Sequence, residues 1–226
     1  MINFYDTIDI LVQNITKEWV DNMSSQNKWE LPPFTRKEIE NASKTIITPY
    51  QSIIDKEHAL KVLNNWRSSH AYPLQVITSN LRRNNKNAIV VQRLKRLDSI
   101  VKKLERFPHM NLYRMQDLGG CRVIVDSIDE VYETLNKYKN SRIRHILKRE
   151  YDYIKEPKPS GYRSYHMVYQ FQSDKKDVYN KNMFIEIQFR TKLQHIWATT
   201  VEMMGLYTKE SLKSSNGNPH ILRFLY

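Results

Sequence analysis

The residues that could do chemistry lie in three short stretches, and the first is YRMQDLGGCRVIV, residues 113–125. Asp117 stands there just ahead of Gly119 and Gly120. Glycines permit backbone conformations that other residues avoid and let a ligand approach closely, and Mg²⁺ is commonly bound by one or two carboxylates together with phosphate oxygens. The stretch therefore predicts a carboxylate ligand for Mg²⁺, and the alternative is that Asp117 only caps the turn that the glycines form.

The second stretch is FIEIQFRT, residues 184–191, in which apolar and polar residues alternate. Successive side chains of a strand point to opposite faces of the sheet, so the apolar residues would face a core. The polar residues share the other face and are Glu186, Gln188 and Arg190. That face is either a catalytic surface or the solvated face of an ordinary edge strand.

The third stretch is PKPSGYRSYH, residues 157–166. Its prolines and glycine are typical of a loop, yet it runs directly into the apolar segment MVYQF. Tyr162, Arg163 and His166 therefore stand where a loop enters a predicted strand.

The elements that must position these stretches form a mixed pattern. Short apolar runs bounded by turn signals predict strands at residues 121–125, 150–154, 165–171 and 183–191. Helical spacing of apolar residues predicts helices at 4–20, 35–63, 127–139 and 191–204. No helix separates the later strands, so part of the sheet should be antiparallel. The predicted fold class is α/β (α+β), a mixed β-sheet flanked by helices with an N-terminal helical segment.

A further helix is predicted at residues 88–107, because its apolar residues recur four and three positions apart. These residues are Val90, Leu94, Leu97, Val101 and Leu104. Lysines and arginines occupy the remaining faces of this predicted helix. It is either a basic binding surface or a solvated face.

Composition narrows the classes of protein and partner. A chain of 226 residues with a formal charge of +12 and a pI near 9.6 suits polyanionic partners, although a merely soluble basic protein would share this charge. Cys121 is the only cysteine, which excludes an intramolecular disulfide and a structural zinc site built on cysteines. The N-terminus resembles neither a signal peptide nor a membrane span, so a cytoplasmic location is expected.

Four segments together resemble the synthetase domain of the RelA/SpoT family. They are RLKRLDSIVKKLER (93–106), MQDLGGCRVIV (115–125), KPSGYRSYH (158–166) and EIQFRTKLQHIWA (186–198). The resemblance implies a nucleotidyltransferase-like fold and a Mg²⁺-dependent transfer of pyrophosphate from ATP to a ribose 3′-hydroxyl. It also implies a helical segment at 1–65, a pyrophosphotransferase domain at 66–210 and a tail at 211–226.

The resemblance assigns roles by matching positions. Asp117 and Glu186 match the catalytic carboxylates and metal ligands, and Glu186 matches the residue that binds metal or accepts the proton of the attacking hydroxyl. The positions that match ATP-binding residues are Arg93, Lys95, Lys103, Arg106 and Arg122. The positions that match or flank the acceptor site are Tyr162, Lys158, Arg163, His166 and Gln188. Tyr162 would stack on the acceptor base, held out of the core by the neighbouring proline and glycine.

The acceptor is the open question. The segments SSHAYPLQVITSNLRR and LKRLDSIVKKLERFP resemble the toxic small members of the family, which implies an antitoxin partner and the tRNA 3′-CCA end as acceptor. Surplus cations that could bind the tRNA backbone are Arg82, Arg83, Lys86, Arg142 and Arg149. The alternatives are an alarmone synthetase that uses GDP, GTP or an adenosine nucleotide, and an inactive member that only binds. Val201 stands where the family commonly has a glutamate, so the role of Glu202 is open.

Overall fold

The fold is a five-stranded mixed sheet flanked by helices, as predicted. The computed structural model describes residues 29–210, 212 and 217–225. The strands are β1 Ile89–Leu94, β2 Gly119–Val125, β3 Ile146–Asp152, β4 Tyr165–Gln170 and β5 Phe184–Thr191, in the order β1-β2-β5-β4-β3. The helices are α1 Arg36–Ile47, α2 Ile53–Ser69, α3 Ala71–Asn84, α4 Leu97–Arg106, α5 Ile128–Lys139, α6 Lys192–Thr208 and α7 Pro219–Leu225. None of these helices has the length and apolarity needed to cross a bilayer.

The N-terminal helical segment is divided differently from the prediction. The predicted helix at 35–63 is wrong as a single element, because α1 ends at Ile47 and α2 begins at Ile53. Pro49 disfavours a helical conformation at the residue before it, and Tyr50 has a φ of 62°. Ser52 then starts the second helix by accepting a hydrogen bond from the Asp55 amide. The predicted helix at 4–20 lies outside the described residues.

The predicted helix at 88–107 is also wrong in its first half. Residues Ile89–Leu94 form β1, and the helix begins only at Leu97. Apolar residues four apart, such as Val90 and Leu94, also share one face of a strand, so their spacing suits either structure. The β-branched run Ile-Val-Val favours the strand. Arg93 therefore lies on β1 and Lys95 in the following connection, whereas Lys103 lies on α4.

The other predicted elements are present with small shifts. The strands β2, β4 and β5 match the predicted runs, and β3 begins four residues earlier than the predicted strand at 150–154. Helices α5 and α6 follow Ser127 and Thr191, whose hydroxyls accept hydrogen bonds from the backbone of the first turn. Along β5 the apolar residues are buried, as the alternation predicts.

Contacts divide the chain into two compact units. Among the described residues, the first unit contains 29–76, 93–120 and 170–185, and its core includes Leu63, Trp66 and Leu112. The second contains 77–92, 121–169, 186–210, 212 and 217–225, and its core includes Val123 and Phe189. The division into 1–65, 66–210 and 211–226 stays a prediction.

Gly119 is required for packing and not for its backbone conformation. Neither Gly119 nor Gly120 has a positive φ. A Cβ at Gly119 would lie 2.7 Å from Cδ1 of Ile185, which is fully buried in the first unit. We therefore expect Gly119→Ala to lower the free energy of unfolding by about 1–3 kcal/mol, measured by urea denaturation.

The double variant Gly119→Ala/Ile185→Val tests the cause of this destabilisation. Because Ile185→Val deletes the clashing Cδ1, the double variant should lose less stability than the sum of the two single variants. Strict additivity would contradict this account.

Candidate active site

Two of the predicted ATP-binding residues, Lys95 and Lys103, lie against Asp117 in the first unit. We call these three residues the Asp117 cluster. The Lys95 ammonium lies 2.9 Å from Oδ2 of Asp117, and the Lys103 ammonium lies 2.9 Å from Oδ1. The Lys95 amide donates to the Leu118 carbonyl at 2.8 Å, and Arg67 Nε donates to the Lys95 carbonyl at 2.6 Å. Both carboxylate oxygens thus accept from side-chain cations, so Asp117 does more than cap a turn.

The electrostatics keep the Asp117 carboxylate ionised. Burial alone would raise the pKa of Asp117, but the Lys95 and Lys103 ammonium groups outweigh it and hold that pKa below its usual range. The side chain remains 25% exposed. One negative and two positive charges leave the cluster with a net positive charge that suits a phosphate-bearing ligand.

The Asp117 cluster fits a magnesium ion that arrives with a polyphosphate. No group of three or more metal-ligating side chains occurs in the part of the chain that the structure describes. Magnesium often needs only one or two carboxylates because phosphates and water complete its shell. Each Asp117 oxygen keeps a further lone pair beside its lysine, so the residues present can contribute a ligand.

The other three predicted ATP-binding residues do not belong to the Asp117 cluster. Arg93 on β1 and Arg106 at the end of α4 are exposed, and the Arg106 guanidinium lies 5.4 Å from the Phe107 ring centre. Arg122 belongs to the second unit, where its Nε donates to Gln188 Oε1 at 3.2 Å. The structure therefore brings together two of the five predicted ATP-binding residues.

A closed circuit of five hydrogen-bonded side chains lies in the second unit. Its members, the Glu186 network, are Tyr162, His166, Glu186, Gln188 and Arg190. The Tyr162 hydroxyl lies 2.8 Å from His166 Nε2, and His166 Nδ1 lies 2.9 Å from Glu186 Oε1. Gln188 Nε2 donates to Glu186 Oε2 at 2.7 Å. Arg190 Nη2 closes the circuit by donating to Gln188 Oε1 at 2.5 Å and to the Tyr162 hydroxyl at 2.8 Å.

The chemistry of these groups fixes their orientation. A guanidinium can only donate and an ionised carboxylate can only accept, so the Gln188 oxygen must face Arg190 and its nitrogen must face Glu186. His166 Nδ1 must then donate to Glu186. Burial raises the pKa of Tyr162 despite the opposing charge of Arg190, so its hydroxyl stays protonated and is available as a donor beside His166 Nε2.

The loop before β4 positions Tyr162 in an unexpected way. The Gly161 amide donates to the Lys158 carbonyl at 2.8 Å, and Gly161 has a φ of 76°, which favours glycine. Tyr162 is only 5% exposed, so the expectation that the loop holds its ring out of the core is wrong. The Lys158 ammonium lies 5.3 Å from the Tyr162 ring centre and 4.3 Å from that of Tyr153. Arg163 is exposed.

Sequence reasoning missed an aromatic row beside this network. The rings of Tyr151 and Tyr153 are parallel, with centres 5.6 Å apart, and Tyr151 is 38% exposed. Arg149 Nη1 donates to the Tyr151 hydroxyl at 3.3 Å. The centre of the Tyr153 ring lies 5.2 Å from that of His166. The alternation in EYDYI was the available signal for this row.

Helix α6 clarifies two further positions. His195 Nδ1 is buried without a hydrogen-bond partner, and burial followed by the charges of Arg190 and Arg122 lowers the pKa of His195. Val201 is buried against Leu212, so the position of the expected glutamate serves packing here.

The cations predicted to bind a tRNA backbone are exposed and belong to the second unit. Arg82 donates to the Val90 carbonyl, which restrains its side chain. Arg83 and Lys86 line a groove of about 530 Å³ that also contains Glu130 and Glu133. These carboxylates weaken the groove as a phosphate site.

Comparison with known proteins gives a consistent result. The profile of the family described as "Region found in RelA / SpoT proteins" matches residues 92–211, which include the Asp117 cluster and the Glu186 network. The chain is 28% identical to GTP pyrophosphokinase YjbM of Bacillus subtilis over 161 residues, or 68% of each chain. It is 33% identical to GTP pyrophosphokinase YwaC of the same organism over 115 residues, which span 52% of that relative.

Solved structures agree with this comparison. The small alarmone synthetase 1 of Bacillus subtilis, bound to its product pppGpp, superposes with a TM-score of 0.60 at 26% identity, covering 73% of this chain and 87% of that one. A GTP pyrophosphokinase family protein from Streptococcus pneumoniae has a TM-score of 0.59 at 24% identity, covering 77% of this chain and 85% of that one, which supports the fold.

Proposed function

We propose, because this chain belongs to the RelA/SpoT family, that it transfers pyrophosphate from ATP to the 3′-hydroxyl of a guanosine nucleotide. The family is one of ATP pyrophosphotransferases, and the relatives that the chain resembles are named GTP pyrophosphokinases. One observation carries the proposal. The matched segment holds an ionised carboxylate between two ammonium groups in one unit and a second carboxylate against an imidazole and an amide in the other.

The Asp117 cluster would bind the donor. Phosphoryl chemistry depends mainly on positioning and charge neutralisation, and Lys95 and Lys103 supply two cations for the phosphates of ATP. Magnesium, when bound, would neutralise further phosphate charge, with Asp117 as its protein ligand. The lysines would then exchange the Asp117 carboxylate for phosphate oxygens.

The Glu186 network would bind and activate the acceptor. The acceptor 3′-oxygen forms a bond to the β-phosphorus of ATP, the bond from that phosphorus to the α–β bridging oxygen breaks, and AMP leaves. Glu186 would accept the proton that the hydroxyl loses. His166 and Gln188 hold the two Glu186 oxygens in place, which favours one direction for that proton transfer.

The tRNA 3′ end is the second candidate acceptor, although the sequence alone placed it first. The named relatives favour a guanosine nucleotide. The observation that favours tRNA is the row of Arg149, Tyr151 and Tyr153, because the exposed Tyr151 ring beside a cation can stack a further base of a single strand. A toxin role with an antitoxin partner belongs to this second candidate.

The test offers both acceptors in one assay. The purified protein is incubated with Mg²⁺ and γ-³²P-labelled ATP, together with GTP, GDP, ATP alone or deacylated tRNA. We expect label on GTP or GDP, with AMP as the co-product. Label on tRNA alone would overturn the guanosine assignment, and label on no acceptor would overturn the transfer itself.

Salt separates the two acceptors further. Transfer to tRNA through Lys86, Arg142 and Arg149 should fall steeply with salt and after their joint replacement by glutamate, because each phosphate contact releases counterions. Transfer to GTP should respond much less to this triple change.

A further inference from the structure

Arg190 is the most deeply buried cation near the proposed acceptor site. Its side chain is 2% exposed at the end of β5, and charged groups are rarely buried to this extent without a specific partner. Its Nη2 donates to the Tyr162 hydroxyl and to Gln188 Oε1, and its guanidinium carbon lies 5.4 Å from the Tyr162 ring centre. One side chain thus touches both the aromatic and the amide arm of the Glu186 network.

The contacts of Arg190 indicate that it orients its partner side chains and that it contributes little to the stability of the fold. Burying a charge costs desolvation free energy, so a buried guanidinium contributes little net stability compared with a well-packed apolar side chain. Both hydrogen bonds leave Nη2 of its planar fork, whose two N–H groups have fixed directions, so they hold two acceptors at fixed angles, which an ammonium group does not. Arg122 Nε also donates to Gln188 Oε1, at 3.2 Å, so without Arg190 this oxygen would keep only the longer of its two guanidinium contacts and the Tyr162 hydroxyl would lose the donor that links it to Gln188.

We propose that Arg190 is a positioning residue for acceptor binding, acting through the Tyr162 hydroxyl and the Gln188 amide. This inference rests on the proposed function and deepens it. In this role Arg190 would contact neither the acceptor nor the donor, and it would hold the groups proposed to contact the acceptor. Its loss should therefore change the use of the acceptor and leave the binding of ATP unchanged.

A double-mutant cycle tests the proposal. Arg190→Met removes the fork, and Tyr162→Phe removes the hydroxyl but keeps the ring. Each single variant should raise the acceptor KM on the order of 10-fold, with the KM for ATP within about twofold of the wild type. Both changes break the hydrogen bond between Arg190 and Tyr162, and each also breaks one further bond, so the double variant should raise the acceptor KM by clearly less than the product of the two single effects.

Controls separate positioning from folding. Arg223→Met removes an exposed arginine of α7 in the same unit and should leave both KM values unchanged. If Arg190→Met fails to fold by circular dichroism, Arg190→Lys and Tyr162→Phe carry the test, with the acceptor KM raised in each. Additive effects, an unchanged acceptor KM or an equal rise in the KM for ATP would overturn the inference.

The wild-type protein is assayed first in the same reactions, which keeps the two claims apart. If the wild type transfers pyrophosphate and the Arg190→Met protein has the same acceptor KM, only this inference is overturned. A wild type that labels no acceptor would instead overturn the proposed function.

Discussion

Glu186→Gln is expected to fold like the wild type and to transfer pyrophosphate about 10²- to 10⁴-fold more slowly. The amide has the size of the carboxylate but cannot accept the proton that the 3′-hydroxyl loses. It also offers one oxygen where the carboxylate offers two, so its NH₂ group must face either Gln188 Nε2 or His166 Nδ1, both of which donate to Glu186 in the wild type. The rate constant for label transfer from γ-³²P-labelled ATP measures this effect.

A matched carboxylate provides the control for this prediction. Glu150 on β3 lies in the same unit, accepts a hydrogen bond from the Tyr165 hydroxyl at 2.7 Å and pairs with Lys139. Glu150→Gln should retain wild-type transfer, because Glu150 belongs to neither proposed substrate site. A folded Glu186→Gln protein with near-normal activity would remove Glu186 from the mechanism.

Asp117→Asn is expected to slow pyrophosphate transfer by a comparable factor, about 10²-fold or more. The cause would be weaker binding and positioning of the donor, ATP. The variant loses the carboxylate proposed for Mg²⁺ and leaves Lys95 and Lys103 without their common counter-charge. Binding of the acceptor nucleotide, measured by equilibrium titration without ATP, should be unchanged. Asp98→Asn on α4 is the control, since Asp98 lies in the same unit outside the Asp117 cluster.

The same variant should change how stability depends on pH. The pKa of Asp117 is lowered in the folded protein, so its stabilising effect is present above the unfolded pKa of about 4 and is lost as pH falls through the folded pKa. Urea denaturation between pH 7 and pH 3 should therefore show a smaller acid-induced loss of stability for Asp117→Asn. An identical pH dependence in both proteins would contradict the pairing of Asp117 with the lysines.

Much of the fold could be predicted because hydrophobic alternation specifies a strand buried on one face, as in β5. The strand β1 could not, because Val90 and Leu94 satisfy both helical and strand spacing. The break between α1 and α2 depended on Pro49 and the Ser52 cap, which an apolar count overlooks. There the residues of the turn, and not the spacing of the apolar residues, determined where one helix ends and the next begins.

The motifs singled out the residues of the candidate site, whose roles stay predictions, but they did not give the contacts between these residues. The positions of Asp117 and Glu186 followed from the motifs. The burial of Tyr162 did not, because it depends on a hydrogen bond from Arg190 on β5, 28 positions away, and on how the loop folds Lys158 and Tyr153 against the ring. Arg190 itself was read as one of three polar residues on a face, and only the structure shows that it is buried.

The Asp117 carboxylate, described above as the partner of two lysines, also acts as an internal competitor for any anion that approaches them. A ligand must therefore interact with those ammonium groups more favourably than the carboxylate does. A triphosphate with its metal ion can do so, whereas the single phosphate of AMP can replace only part of the interaction that the lysines lose when they leave Asp117. Under the proposed chemistry, return of the lysines to Asp117 would favour expulsion of the spent nucleotide, so this carboxylate would assist turnover as well as binding.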